Sequence, residues 1–343
     1  MESGRIKLGI IGAGMVVRTH HLPAIRRLAN EIEVVGLATR DLGRGRSFAR
    51  EFRIPRVYMD YRQLLRDREI DAVLTAVPIE LNGRTLLDSV RAGKHVLAEK
   101  PIAETPAQAL RVVRESRRSL SKILIGENFR YRRDLAEARN LVARGAVGKI
   151  FAFQISVKFD VDARARRRWI SRGWRKQARH RGGMVLDAGV HPVAAVIDIL
   201  GKITEVNAIV MDTSRVIAGP DGLLMQVRMA GGITGQCFFC YTSKEQQEIS
   251  FDFSIYGTEG VLRVVPGKIT LTHEVGDSPR VFKIRETDGG YFAQWKNFCA
   301  AVRGEERVVS GPAEAYRDLL VIDAALRSSS TKEKVRLPSA RFG

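Results

Sequence analysis

The sequence predicts two fold classes in series. The first is an α/β domain with a doubly wound parallel sheet; the second is an α+β domain with a largely antiparallel sheet flanked by helices. Three observations predict this. Residues 6–127 alternate short apolar runs with amphipathic stretches, as βαβ units do. Those apolar runs are continuous, as in strands covered on both faces. Beyond about residue 150, strand-like runs follow one another with few helices between them.

Element by element, "IKLGIIG" reads as a strand and "RTHHLPAIRRLAN" as a helix. "IEVVGLAT" and "GRGRSFAREF" repeat that pair, as do "DAVLTAVP" and "NGRTLLDSVRAG". Strand "KHVLAEK", helix "PAQALRVVRESRR" and strand "KILIGENF" complete the series. The later strands are "KIFAFQISVKF", "EVNAIVMDT", "LLMQVRM", "GITGQCFFCYT", "EISFDFSIYGT", "GVLRVV" and "KITLTH". Two helical stretches accompany them, "DAGVHPVAAVIDILG" and "GPAEAYRDLLVIDAALRSSS". The expected domains are 1–127 and 128–343, with the boundary inside 125–150. The terminal helix, 312–330, is a candidate to pack back on the first domain.

At 343 residues the chain can fill two cores. Gly, Pro or charge interrupts every apolar run, so no membrane span or membrane partner is expected. "MESGRIKLGIIGAG" reads as strand and turn rather than signal peptide, so the expected location is the cytoplasm. Three cysteines, Cys237, Cys240 and Cys299, argue against a disulfide framework. In "CFFC" two thiols three apart on a strand point to opposite faces, so no metal site is expected. The 57 Lys and Arg exceed the 38 Asp and Glu by 19. Such an excess serves an anionic substrate, nucleic acid or solubility.

Gly12-Ala13-Gly14 stands between the first strand and the first helix, the context a dinucleotide fingerprint requires. Gly12 would make the tight turn. Gly14 would let the backbone approach a pyrophosphate, and the helix N-terminus at Met15 and Val16 would supply N–H donors and dipole. The third glycine position holds Val17. Thr39 and Arg40 occupy the tip of the second strand, and Asp41 comes one residue later. A carboxylate at the tip would select the ribose 2′-hydroxyl of NAD. An arginine suits the 2′-phosphate of NADP, so NADP is expected and NAD is the alternative.

These motifs, in this order, resemble the glucose-fructose oxidoreductase / inositol dehydrogenase family (Gfo/Idh/MocA type). The resemblance runs nearly the whole length. Its carriers are Gly12-x-Gly14 with His20, "DAVLTAVP" followed by "AGKHVLAEKPIA", "GENFRY", "GGMVLDAGVH", "YGTEGVL" and the final helix. Glu99-Lys100-Pro101 together with Asp187-x-x-x-His191 is its most specific part. The resemblance implies a Rossmann domain and an NAD(P)-dependent dehydrogenase or reductase acting on CH–OH groups of a sugar, polyol or sugar acid. It implies a dinucleotide site of Gly12, Ala13, Gly14, Met15, Val16, Thr39, Arg40, Ala76, Pro78, Asn82, Glu99, Lys100 and Asn128. Glu99 would lie near the nicotinamide ribose, and Lys100 would contact the reacting hydroxyl.

Asp187 and His191, four apart, share one helix face. Oxidation of an alcohol leaves a hydroxyl proton to be taken, and histidine suits that task near neutral pH. Following the family, His191 is the expected general base or acid. Asp187 would orient the substrate or polarise the histidine, with Lys100 as electrostatic or proton-relay partner. The plain alternative is a helix-capping Asp187 and a structural His191. The sequence departs from the family at Ala194, often an aspartate, and at Asn82, often a histidine. An amide hydrogen-bonds but does not titrate.

"RARRRWISRGWRKQARHR", residues 164–181, holds nine Lys or Arg, two Trp and no acid. Arginine with tryptophan suits anions that carry flat or sugar rings. Arg130, Trp174 and Arg175 therefore join Lys100, Asp187 and His191 as candidate substrate contacts. An anionic sugar is set against a merely solvated loop, and nucleic acid is the least favoured partner. Two rival functions keep the scaffold: glycoside cleavage with a recycled, bound NAD(P), and a non-catalytic NADP sensor. Retention of Lys100, Asp187 and His191 argues against the sensor. An open face on the C-terminal sheet makes a homodimer or homotetramer the expected assembly.

Overall fold

The computed structural model describes residues 4–163, 175–176, 180–244, 249–274, 276, 278–285 and 288–338. The chain forms two compact units, Met1–Asn128 with Gly290–Tyr316, and Phe129–Gly289 with Arg317–Gly343.

The first unit holds a parallel sheet: β1 (Ile6–Ile11), β2 (Ile32–Ala38), β3 (Arg56–Tyr58), β4 (Ala72–Thr75), β5 (His95–Glu99) and β6 (Ile123–Gly126). Its order is β3-β2-β1-β4-β5-β6. The order reverses between β1 and β4, which opens a crevice at the carboxyl ends of these strands. Leu8, Ile10, Leu37, Leu74, Leu97 and Leu124 are fully buried, which explains the continuous apolar runs. The first helix begins as a π turn, Val17–His21, and continues as α1 (Leu22–Arg26). Pro23 has no N–H for the Thr19 carbonyl and its ring would crowd that oxygen in a regular helix; the wider turn relieves both. Helices α2 (Leu42–Phe52), α3 (Tyr61–Arg66), α4 (Ile79–Arg91) and α5 (Pro106–Ser116) follow.

The second unit opens with α6 (Arg133–Ala143), β7 (Ile150–Lys158) and α7 (Gly183–Leu200). Strands β8 (Ile203–Met211), β9 (Gly222–Met229), β10 (Thr234–Cys240), β11 (Ser250–Gly257), β12 (Gly260–Val265), β13 (Lys268–Thr272) and β14 (Arg280–Lys283) come next. Helix α8 (Tyr291–Arg303) belongs to the first unit, and the division between units falls inside α9 (Pro312–Thr331). With β15 (Val335–Arg336) the second sheet has nine strands, in the order β14-β13-β12-β11-β7-β10-β9-β8-β15. Among the described residues of this sheet, only β7 and β10 pair in parallel.

One face of this sheet buries Phe153, Ile155, Phe239, Phe253 and Ile255. A Cβ on Gly189 of α7 would lie 3.1 Å from Ile322 of α9 and 3.6 Å from Phe239, so glycine sets the spacing of that layer. On the opposite face the register aligns Ile209, Leu224 and Phe238 in one row. The next row is Asn207, Gln226, Gln236, Gln154 and Ser254. Ile209 is 63% exposed.

Helix α7 is long and apolar enough to cross a membrane by length and composition alone, although Asp187, Gly189, Pro192 and Asp198 interrupt it. Most of it is buried inside its own unit, so that apolarity serves the core. Cys237 is buried and Cys240 half-buried, as neighbours on opposite sheet faces would be. Burial pushes the Cys237 thiol up to about 12.

Candidate active site

In the first unit, the candidate site starts at the carboxyl ends of β1, β2 and β4. Gly12 has φ +106°, and its N–H donates to the Ala38 carbonyl at 2.9 Å. A Cβ on Gly12 would lie 2.2 Å from the Ala76 carbonyl oxygen, so no side chain fits there. A Cβ on Gly14 would meet nothing within 4 Å. The turn is thus closed against the sheet at Gly12 and open at Gly14, where a pyrophosphate would need access. Met15 is exposed, Val16 half-buried, and both precede the π turn. Ala76 and Pro78, half-buried, line the connection from β4 to α4. These residues fit a dinucleotide.

At the tip of β2, Thr39 is half-buried and Arg40 exposed. The Asp41 carboxylate accepts the Arg44 N–H at 2.9 Å and caps α2. It is committed to the helix rather than to a ribose. Arg44 also donates a long 3.5 Å bond to the Ala13 carbonyl, which puts a second cation beside the glycine turn. The sequence reading missed Arg44, because a basic residue in a helix first turn carries no motif.

β5 delivers Glu99, 7% exposed, and then Lys100, half-buried. The Lys100–Pro101 peptide is cis. Asn82, 1% exposed, donates to the carbonyls of Glu99 and Pro101, on either side of Lys100. The Thr75 hydroxyl donates to its amide oxygen at 3.4 Å. The structure thus places Asn82 behind the strand end, holding it, rather than at a surface that meets a cofactor. Glu99 Oε1 lies 2.8 Å from His21 Nε2, and the Lys100 N–H donates to Oε2 at 3.2 Å. Trp295 donates its indole N–H to His21 Nδ1 at 3.1 Å. The Tyr291 hydroxyl is pushed well above its ordinary value by burial, then by the carboxylates of Glu99 and Glu127. Asn128, 8% exposed, ends the first of the two stretches that make up this unit.

In the second unit, α7 carries Asp187, 3% exposed, and the half-buried His191. Asp187 Oδ2 accepts the Arg175 Nε–H at 2.7 Å. Arg175, His180, Met184, Ile217 and Ala218 line a small recess beside Asp187. The His191 ring stacks on Phe129 at 4.8 Å and 21°, and the Arg132 guanidinium lies 4.6 Å from the Phe129 ring. Tyr241, fully buried, has its hydroxyl pushed well above the ordinary value by burial and then by the charge of Asp187. Neither Phe129 nor Tyr241 was legible as a neighbour of α7, because each lies far away in sequence. Arg130 is a correction. It is 5% exposed and forks both oxygens of Asp318 at 2.7 Å, so it is part of the core rather than a substrate contact. Trp174 and most of segment 164–181 lie outside the described residues.

Comparison with known proteins bears on the family and the fold. Residues 6–126 match the family model described as oxidoreductase family, NAD-binding Rossmann fold, and residues 135–263 match the GFO/IDH/MocA C-terminal domain. A solved oxidoreductase from Thermotoga maritima is 31% identical, with 97% of this chain and 98% of that one covered and a TM-score of 0.88. The 1,5-anhydro-D-fructose reductase of Ensifer adhaerens is 28% identical over 283 residues, 79% of this chain and 81% of that protein. A levoglucosan dehydrogenase, solved with NADH and levoglucosan, is 19% identical and has a TM-score of 0.87, with 98% of this chain and 100% of that one covered.

Proposed function

This chain belongs to the GFO/IDH/MocA family of NAD(P)-dependent oxidoreductases, and from that premise we propose that it oxidises or reduces a CH–OH centre of a sugar, polyol or sugar acid. The observation that carries the reading is Lys100. It follows the buried end of β5, its flanking carbonyls are tied by Asn82, and it shares a unit with a glycine turn that fits a dinucleotide. The nicotinamide, when bound, supplies or accepts the hydride.

The chain's own groups do the rest. The Lys100 ammonium stabilises negative charge on the reacting oxygen, and His191 takes or returns its proton. Asp187 orients the substrate. Phe129, stacked on the His191 ring, limits how that ring can turn. The dinucleotide is held by Gly12, Ala13, Gly14, Met15 and Val16 at the turn, by Ala76 and Pro78 after β4, and by Glu99 and Asn128. Thr39 and Arg40, with Arg44 close by, favour NADP over NAD.

The substrate is anionic in this reading. Arg175 brings a guanidinium to the recess beside Asp187, and a guanidinium is the side chain suited to a carboxylate or phosphate. Two copies meet through the open face of the nine-stranded sheet, where Ile209, Leu224 and Phe238 form an apolar row. Buried, unbridged thiols at Cys237 and Cys299 suit a reducing compartment, the cytoplasm.

A screen of neutral sugars, polyols and sugar acids with NADP+ and NAD+, read at the reduced-nicotinamide absorbance, tests the reading. Turnover of at least one hydroxyl compound is expected, with sugar acids ahead of their neutral counterparts. Tight dinucleotide binding without turnover across the screen would favour the sensor instead.

A further inference from the structure

His21 is a buried histidine to which nothing above assigns a task. Its side chain is fully buried. One ring nitrogen, Nε2, faces Glu99 Oε1 at 2.8 Å; the other, Nδ1, faces the indole N–H of Trp295 at 3.1 Å. An indole nitrogen can only donate. Nδ1 must therefore accept, and the proton on Nε2 is the one shared with the carboxylate. The tautomer follows from the chemistry of the partners alone. Trp295 is also fully buried, and Glu99 is 7% exposed. Tyr291, one turn before Trp295 on α8, meets the His21 ring edge-on at 5.2 Å, and Trp295 does so at 5.8 Å. The ring is gripped on two sides.

We propose that Trp295 and His21 are positioning residues for the cofactor. They form a one-directional hydrogen-bond chain, indole N–H to Nδ1 and Nε2–H to carboxylate, that sets the plane of Glu99. The second carboxylate oxygen accepts the Lys100 N–H at 3.2 Å, so the same plane is tied to the backbone of the reactive lysine. A carboxylate held at both oxygens has a set plane, as a preorganised bond to a ribose hydroxyl requires. The π turn contributes too: His21 is its last residue, and Pro23 follows two positions on. Glu99 and its two helpers come from positions 21, 99 and 295 and meet inside one unit. The inference rests on the NAD(P) reading above and assigns to it two residues outside the family motifs.

The test has two independent readouts. The first is the tautomer of His21 in the wild-type protein, read from imidazole nitrogen shifts in long-range ¹⁵N–¹H NMR and assigned against His21→Gln. The Nε2–H form is expected; an Nδ1–H form overturns the proposal. The second is the dissociation constant of NADPH and NADH, titrated directly by nicotinamide fluorescence. Trp295→Phe keeps a ring and deletes the donor, so it should weaken binding about 3- to 10-fold, the fold-change expected for one buried hydrogen bond. His21→Leu should weaken it about tenfold. His21→Gln should bind within about 3-fold of wild type, because its amide accepts and donates in the same sense. If Trp295→Phe and His21→Leu bind as wild type does, or if His21→Gln is as weak as His21→Leu, the proposal fails. A wild type that binds neither dinucleotide refutes the cofactor reading instead, while the tautomer still decides the hydrogen-bond chain.

Discussion

Lys100 and His191 are presented by different kinds of support. Lys100 follows a five-residue strand buried in a parallel sheet, and its surroundings are tied mainly through the backbone. Asn82 holds two carbonyls there, and Glu99 holds one N–H. His191 stands on an 18-residue helix with Pro192 inside it, among side-chain charges: Asp187 of the same helix, paired with Arg175 of a turn before it, and Arg130 with Asp318 in the same unit. These ties each need one side chain, from Asn82 or Glu99, against a backbone group that no substitution removes, whereas an ion pair depends on both side chains. The β5 end is therefore the fixed reference of the chemistry. The α7 surroundings are where substitution and salt should tune it.

The largest expected effects fall on the chemistry itself. Lys100→Ala and His191→Ala should each lower kcat by about 10²–10⁴-fold, with dinucleotide affinity near wild type. Stopped-flow hydride transfer and direct cofactor titration check this. A His191→Ala enzyme with wild-type turnover would leave the reaction to the β5 end alone. Next comes the buried pair in the second unit. Asp318→Asn removes the nearer of two carboxylates beside the Arg130 guanidinium, with Asp198 remaining at 3.8 Å, and should cost about 3 kcal/mol of stability. Urea unfolding measures it, and a loss below about 1 kcal/mol would show that this pair is not the support described. Smaller is the effect at the β2 tip. Arg40→Ala should weaken NADPH by about 1.5–3 kcal/mol and NADH far less. Equal losses would return the choice of cofactor to Arg44 or to NAD.

How much of this was legible depends on where each signal lies. The parallel sheet was readable because its strands are continuously apolar and Gly12-Ala13-Gly14 sits at a strand–helix junction. β3 was not, since it has three residues and all are half-buried. α6 and α8 were missed for another reason. α6 mixes charges through its length, and α8, "YFAQWKNFCAAVR", buries Trp295, Phe298 and Cys299 behind a glycine N-cap, Gly290, with no side-chain cap to mark a helix start. Lys100, Asp187 and His191 carry local motifs. His21, Trp295, Phe129 and Arg44 do not, because their roles exist only through residues far away in sequence. Arg130 misled for the same reason: an arginine in "GENFRY" looks available until Asp318 is seen on it.

The smallest expected effect lies at the opposite end of the strand that presents Lys100. His95 opens β5, and its Nδ1 accepts the Lys122 N–H at 3.0 Å. Burial lowers the pKa of His95 from its ordinary value, partly offset by Asp71, and the charge of Lys122 acts in the same direction as burial. A proton on Nδ1 would also displace that hydrogen bond. The folded state thus takes up the proton at lower pH than the unfolded state does. Between the two values the unfolded chain binds more protons, so stability rises with pH there. The contribution is fully present above the ordinary histidine value of about 6.5 and is lost as pH falls below it. Urea midpoints for wild type should therefore drop between pH 7.5 and pH 5.5, and His95→Gln should show a smaller drop. Gln can still accept the Lys122 N–H, so the difference reports the proton and not the missing bond. An unchanged drop in His95→Gln would move the acid sensitivity away from the start of β5.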